Sequence, residues 1–349
     1  MRRILAVLCA THTVASAQAP LVADRSEASR ETREWIAAHT TVLSSLDSGD
    51  LGAWRKLVGS ARLIGLGEQT HGTHEFFNMK RRLITDGVDA MHVRVVAFEE
   101  APALMAQIDS VIGRPIDEPP GQPDGGDGKY MRLDSLVRRM APQWRTVEVR
   151  DFFATMRLAN LTRQARKLPM VHFIGVDSRG GPPAARDSIM AENAIAALSK
   201  LPDGERLMLW SHNLHVGMLP NRIGSYLHQR LGAQYVVLGF ATAEGTYRAH
   251  APGDSARAWS EGHALEPSQA GSVESAFLPT SGAALLVDVR GIVADPRGAW
   301  FRTPRDFHHE GSNVDDGSVQ VYNIGETFHI LMFIPKTTSA RGLSLDDRP

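Results

Sequence analysis

Two histidines and a carboxylate within seven residues, Glu68, His71 and His74, are the first sign of chemistry in this sequence. They lie in Leu63–Leu83, LIGLGEQTHGTHEFFNMKRRL, where an apolar run ends at Gly67. Glu68 and His71 stand three apart in a turn, close enough for a carboxylate to orient an imidazole. A ring of pKa ~6.5 flanked by carboxylates is a competent proton acceptor near neutrality. Two more apolar runs end in the same kind of residue. Val95-Val96-Ala97-Phe98 leads into Glu99, and Leu209-Trp210-Ser211 leads into His212-Asn213-Leu214-His215. A second imidazole or Lys80 could stabilise the oxyanion of a tetrahedral intermediate. Each group also has a plainer reading: Glu99 could cap a helix starting near Ala101, and one of His212 and His215 could pack beneath the other.

Strands must deliver these groups. Arg62–Gly67, Val93–Phe98, Met170–Val176, Arg206–Trp210 and Tyr235–Phe240 are short apolar or β-branched runs followed by helical stretches. Ala284–Val289 and His329–Ile334 read as two further strands. The alternation predicts an α/β fold with a mostly parallel β-sheet flanked by helices. Ligands bind beyond the carboxyl ends of such strands. Glu68, His71, Glu99, Glu100, Asp177, His212 and His215 should therefore share one sheet edge. Thr70 or Thr73 can cap the helix after the first turn, with Phe76, Phe77, Met79, Leu83 and Ile84 as its buried stripe. Residues 28–47 have helical spacing around Trp35, Ile36, Val42 and Leu43. Residues 113–129 form a Gly, Pro and Asp-rich loop leading into a basic helical region, 133–167. This insertion (113–167) is expected to cover the sheet and form part of the cleft.

Bulk properties narrow the function classes. A net charge of -1 over 349 residues gives no electrostatic case for nucleic acid or an anionic membrane. Arg2 and Arg3, an apolar stretch over Ile4–Val14 and the small-x-small Ala15-Ser16-Ala17 predict a signal peptide over residues 1–17, cleaved before Gln18. The remaining chain, 18–349, is expected as one secreted or periplasmic domain. Cys9, the single cysteine, lies in that leader. A Cys nucleophile, a Cys-ligated zinc and a disulfide framework are thereby excluded from the mature chain. No later run is apolar for long enough to span a membrane.

Other chemistries fare unevenly. A serine hydrolase is disfavoured because no G-x-S-x-G elbow occurs, and His74-Glu75-Phe76-Phe77-Asn78 lacks the second histidine of a zincin. His71, His212, His215 and a carboxylate would be acceptable ligands for a divalent metal such as Zn²⁺ or Mn²⁺. A non-enzymatic module holding haem or another ligand is the third reading.

GEQTHGTHEFFNMK followed by VVAFE resembles the erythromycin esterase signature: a Gly-Glu-x-x-His-Gly turn, an aromatic helix and a strand ending in Glu. WRTVEVRDFFATMR, FIGVD and LWSHNLHVG follow in the family's order, so the resemblance runs from about Leu63 to Phe240. The Gly-Glu-x-x-His turn is also similar to that of a wider superfamily with haem-binding lipoproteins and TIKI-type membrane proteases. The resemblance implies a hydrolase opening an ester or macrolide lactone with a histidine activating water and no cofactor. His71 matches the proposed general base, Glu68 the acid beside it, Glu99 the strand-end carboxylate, and His212 and His215 the later histidine motif. Lys80 matches a cationic position, and Glu75 and Lys80 are expected to meet substrate.

Overall fold

The computed structural model describes residues 21–114, 133–178, 185–253, 259–278, 281–309, 311–314 and 319–343. The expected signal peptide lies outside them, as does most of the 113–129 loop. Strands follow in chain order as β1 (Thr41–Leu43), β2 (Leu63–Leu66), β3 (Val93–Phe98), β4 (His172–Gly175), β5 (Arg206–Trp210), β6 (Tyr235–Ala249), β7 (Ser260–Leu265), β8 (Ala284–Asp288), β9 (Arg305–His308), β10 (Val319–Tyr322) and β11 (Ile330–Thr337). β9 and β10 pair with each other, and the rest form one sheet in the order β1-β8-β11-β6-β2-β5-β3-β4, with β7 on β6. The six strands from β11 to β4 are mutually parallel. The fold is α/β, as the alternation of strands and helices predicts.

Helices α1 (Arg30–His39), α2 (Gly52–Val58), α3 (His74–Ala90), α4 (Pro102–Ile112), α5 (Val147–Ala165), α6 (Arg186–Leu198), α7 (Asn213–Val216) and α8 (Ile223–Leu231) precede or connect the parallel strands. Successive side chains on a strand face opposite ways, so a sheet covered on both faces needs apolar residues at every position. β2 sends Ile64 and Leu66 into one core, and β5 adds Met208 and Trp210. Leu63, Leu207 and Leu209 enter the other. β3 breaks the alternation: Val93 and Val96 share a core because a bulge lies between Val93 and Val95. The predicted stripe of α3 is buried throughout. α5, from the basic helical region, packs on α3 and α4 as a cover.

Register explains why one edge is chemical. Trp210 pairs with Leu66 on one side and Phe98 on the other, and Phe98 pairs with Gly175. β2, β5, β3 and β4 therefore end level, and the residues just past them share one edge.

Two expectations need correction. The helix expected over 28–47 stops at His39, because Thr41–Leu43 pairs antiparallel with β8. Thr40, Thr41 and Val42 are β-branched and prefer a pleated strand. β6 runs nine residues beyond the expected Phe240, to Ala249, where its extension pairs with β7. No helix among the described residues is long and apolar enough to cross a membrane.

Candidate active site

The turn after β2 is shaped by Gly67. A Cβ there would collide with the side chain of Asn213, which is fixed by bonds to both the carbonyl and the N–H of Phe240. Only glycine lets the backbone pass so close to α7. Beyond it, His71 Nδ1 lies 2.7 Å from Glu68 Oε1, so Nδ1 carries the proton and donates it to the carboxylate. His71 Nε2 has no hydrogen-bond partner among the described residues, and the residue keeps 7% exposure.

Glu68 is held from the other side. Its Oε2 accepts from Lys80 Nζ at 2.6 Å and from Trp210 Nε1 at 3.1 Å. Lys80 also donates to Ser211 O at 3.2 Å and lies 5.0 Å from the centre of the Trp210 ring. Burial pushes the Lys80 ammonium down to about 8 against the opposing pull of Glu68. A substrate cannot reach Lys80, whose exposure is 0%, so the expectation that it meets substrate fails. Its position twelve residues after Glu68 brings it beneath the turn, where it pairs with the carboxylate. Glu75 is half-buried and pairs elsewhere. Its two oxygens accept from the N–H and hydroxyl of Thr338, each at 2.7 Å, tying α3 to the chain after β11.

A second cluster surrounds Glu99. Ser211 Oγ donates to Oε2, while Arg186 Nη2 donates to Oε1 at 2.8 Å and His215 Nε2 stands 3.4 Å from the same oxygen. Burial opposes ionisation of Glu99, but His215, His71, Arg186 and Ser211 outweigh it and hold the carboxyl at about 2. Arg186 also binds Asp177 through Nε and Nη2 at 3.2 and 3.0 Å, bridging the ends of β3 and β4. The next residue, Asp187, accepts from His215 Nδ1 at 2.8 Å. No side chain caps α4; Glu100 accepts from the N–H of its neighbour Ala101 and from Ala141 N.

His212 lies at the site but has no idle nitrogen. Leu214 N donates to Nδ1 at 3.1 Å, so Nε2 carries the proton and donates to Gln69 O at 3.1 Å. Burial, and then the neighbouring His71, His309 and His215, push its pKa well down. The ring is a neutral cap on α7 whose face lies 4.5 Å from the His71 ring, centre to centre. A catalytic proton transfer at His212 would first have to break one of these backbone bonds. The same holds for a metal bond, and among the described residues no three His, Cys, Asp or Glu side chains form a metal-binding group.

Arg186, Asp187, Ser211, Gln69, Trp144 and Glu274 escaped the sequence reading. Trp144 lies edge-on to His71 at 6.3 Å and donates to Glu99 O at 3.4 Å, bringing the insertion to the site. Gln69 binds Glu274 Oε1 and Thr242 N, each at 2.7 Å. For Ser211, its place between Trp210 and His212 was an available signal.

The sequence model described as Erythromycin esterase matches residues 178–337, a range holding Arg186, Asp187, His212 and His215. No curated protein matches the chain. A Bacillus cereus protein of solved structure is 17% identical and superposes with a TM-score of 0.75, covering 89% of this chain and 98% of its own. A succinoglycan biosynthesis protein, also 17% identical, gives 0.72 over 90% of this chain and 98% of its own. A histidine mutant of the erythromycin esterase EreC in its open conformation is 14% identical and gives 0.53 over 88% of this chain and 100% of its own. These likenesses show the fold. The erythromycin esterase model thus covers less than half of the 349-residue chain, and over that range the chain is similar to the family.

Proposed function

We propose that this chain hydrolyses a carboxylic ester or lactone by attack of a water activated by His71. One observation carries the reading: Nδ1 of His71 is tied to Glu68 while Nε2 is left without a partner among the described residues. Nε2 takes a proton from water as its oxygen adds to the carbonyl carbon. The tetrahedral intermediate then expels the alkoxide, which leaves as the alcohol after receiving that proton from His71. Glu68 holds the ring in place through both transfers, and Lys80 and Trp210 hold Glu68. Arg186 and His215 bring positive charge to Glu99, and in this reading that charge serves the oxyanion.

A panel of p-nitrophenyl esters, simple lactones and macrolides tests this, with His71→Ala in parallel. Hydrolysis of an ester or lactone by the parent and not by the variant supports the reading. Activity that survives the substitution contradicts it.

No cofactor enters this scheme. His212, one of the three histidines considered as metal ligands, already uses both ring nitrogens on backbone groups. Export with cleavage after Ala17 is part of the proposal. Asp24 and Ser26 are held by the buried Arg305, each carbonyl accepting at 2.7 Å, so a chain starting at Gln18 retains this anchor. Mass spectrometry of exported protein would show Gln18 first, and retention of Met1 would overturn it.

A further inference from the structure

We infer that Asp187 is a positioning residue for His215, fixing the Nδ1–H form of the ring so that Nε2 faces Glu99 and can carry the positive charge of the site. The inference rests on the proposed hydrolysis for its meaning, but its geometry stands independently. Asp187 is itself buried, at 6% exposure, at the start of α6. Its Oδ2 accepts from His215 Nδ1 at 2.8 Å and from Ile223 N, the first residue of α8, at 3.3 Å. Arg222 Nη1 lies 4.0 Å from the same oxygen. A carboxylate fixed by a second helix cannot follow the ring if it rotates. His215 is thus held at one nitrogen and pointed with the other, 3.4 Å from Glu99 Oε1.

Among the described residues, the charged and titratable groups around this ring come from several elements. Asp187 and Arg186 come from α6, Glu99 from the end of β3, and His212 from the turn before α7; Arg222, ahead of α8, reaches the ring through Asp187. Burial works against the imidazolium, and Arg186 adds to that. Glu99 and Asp187 outweigh both, leaving His215 more basic than an ordinary histidine. The two basic partners of the site consequently divide their work. His71 has a bare Nε2 and accepts a proton. His215, between two carboxylates, presents an N–H and a positive charge. Adjacent residues with opposite charges produce the arrangement: Arg186 turns to Glu99 and Asp187 to His215, from one helix start.

Histidine-labelled protein and the ester probe p-nitrophenyl acetate test it, with Asp187→Asn and Asp187→Glu. In the parent protein, nitrogen NMR should show His215 protonated at Nδ1 at every pH and doubly protonated up to a higher pH than the variant. In Asp187→Asn, which loses the anion, the titration of His215 should fall by about one pH unit or more. The basic limb of the pH–rate profile should fall with it. Turnover should drop about 10–100-fold with KM changed little, and Asp187→Glu should restore part of it. A bare Nδ1 in the parent spectrum would overturn the inference without any variant. An equal loss of rate at all pH values, with the His215 titration unmoved, would reduce Asp187 to scaffolding and overturn it as well. Absence of ester hydrolysis by the parent would count against the proposed function, and the NMR result would still decide the role of Asp187.

Discussion

Lys80 Nζ sits 2.6 Å from Glu68 Oε2 with neither side chain exposed, so the carboxylate that holds His71 is itself held from within the core. The pair is a foundation for the site and is out of a substrate's reach. Removing one partner of a fully buried pair strands the other charge, which costs about 3–5 kcal/mol. Lys80→Met should therefore lower unfolding free energy by that order in urea titrations, with a loss of turnover alongside. A variant as stable as the parent would show that the pair does not anchor Glu68.

Glu99 gives the protein a distinct acid sensitivity. Its folded pKa of about 2 lies below the ordinary 4.5, so its ionised form stabilises the fold above pH 4.5, and that stability is lost as pH falls through about 2. The depression corresponds to about 3 kcal/mol. Unfolding free energies measured across that window should fall for the parent more steeply than for Glu99→Gln. Equal slopes would contradict the cluster drawn around Glu99.

His212 should behave as a structural cap. Asn can accept from Leu214 N in the same way, so His212→Asn should keep most of the stability and both limbs of the pH–rate profile. His212→Ala leaves Leu214 N and Gln69 O unpaired and should cost about 2 kcal/mol. Thermal melts and pH–rate profiles of the two variants check this. A limb that disappears in His212→Asn would make His212 a proton-transfer group after all.

Because His212 is engaged on both nitrogens, the site should not depend on a metal shared among His71, His212 and His215. Dialysis against a strong chelator should leave turnover unchanged. Loss of activity restored by Zn²⁺ or Mn²⁺ would make these side chains ligands.

The sheet and its reactive edge were legible because strand termini announce themselves: β3 and β5 begin and end where their apolar runs do, and Glu99 and His212 follow at once. What the sequence did not disclose depended on how elements pack. Lys80 lies on the helix after Glu68, and its burial follows from how α3 sets it over the Trp210 ring. Arg186 and Asp187 open a helix, and nothing in their spacing says that its first turn points into the site. Glu75 is paired by Thr338, which follows β11 and is far away in sequence. β1 was hidden because three β-branched residues directly follow a helical pattern and find their partner only in β8.

The central claim is that His71 is the base and Glu68 its partner, and the most direct measurement is the pH–rate profile of ester hydrolysis for the parent, His71→Ala and Glu68→Gln. Loss of the positioned proton acceptor should reduce turnover by about 10²–10⁴-fold in His71→Ala without unfolding the protein. In Glu68→Gln, which loses the carboxylate that orients the ring, turnover should fall with KM little changed. A folded His71→Ala enzyme of undiminished turnover, or a Glu68→Gln enzyme as fast as the parent, would contradict the account.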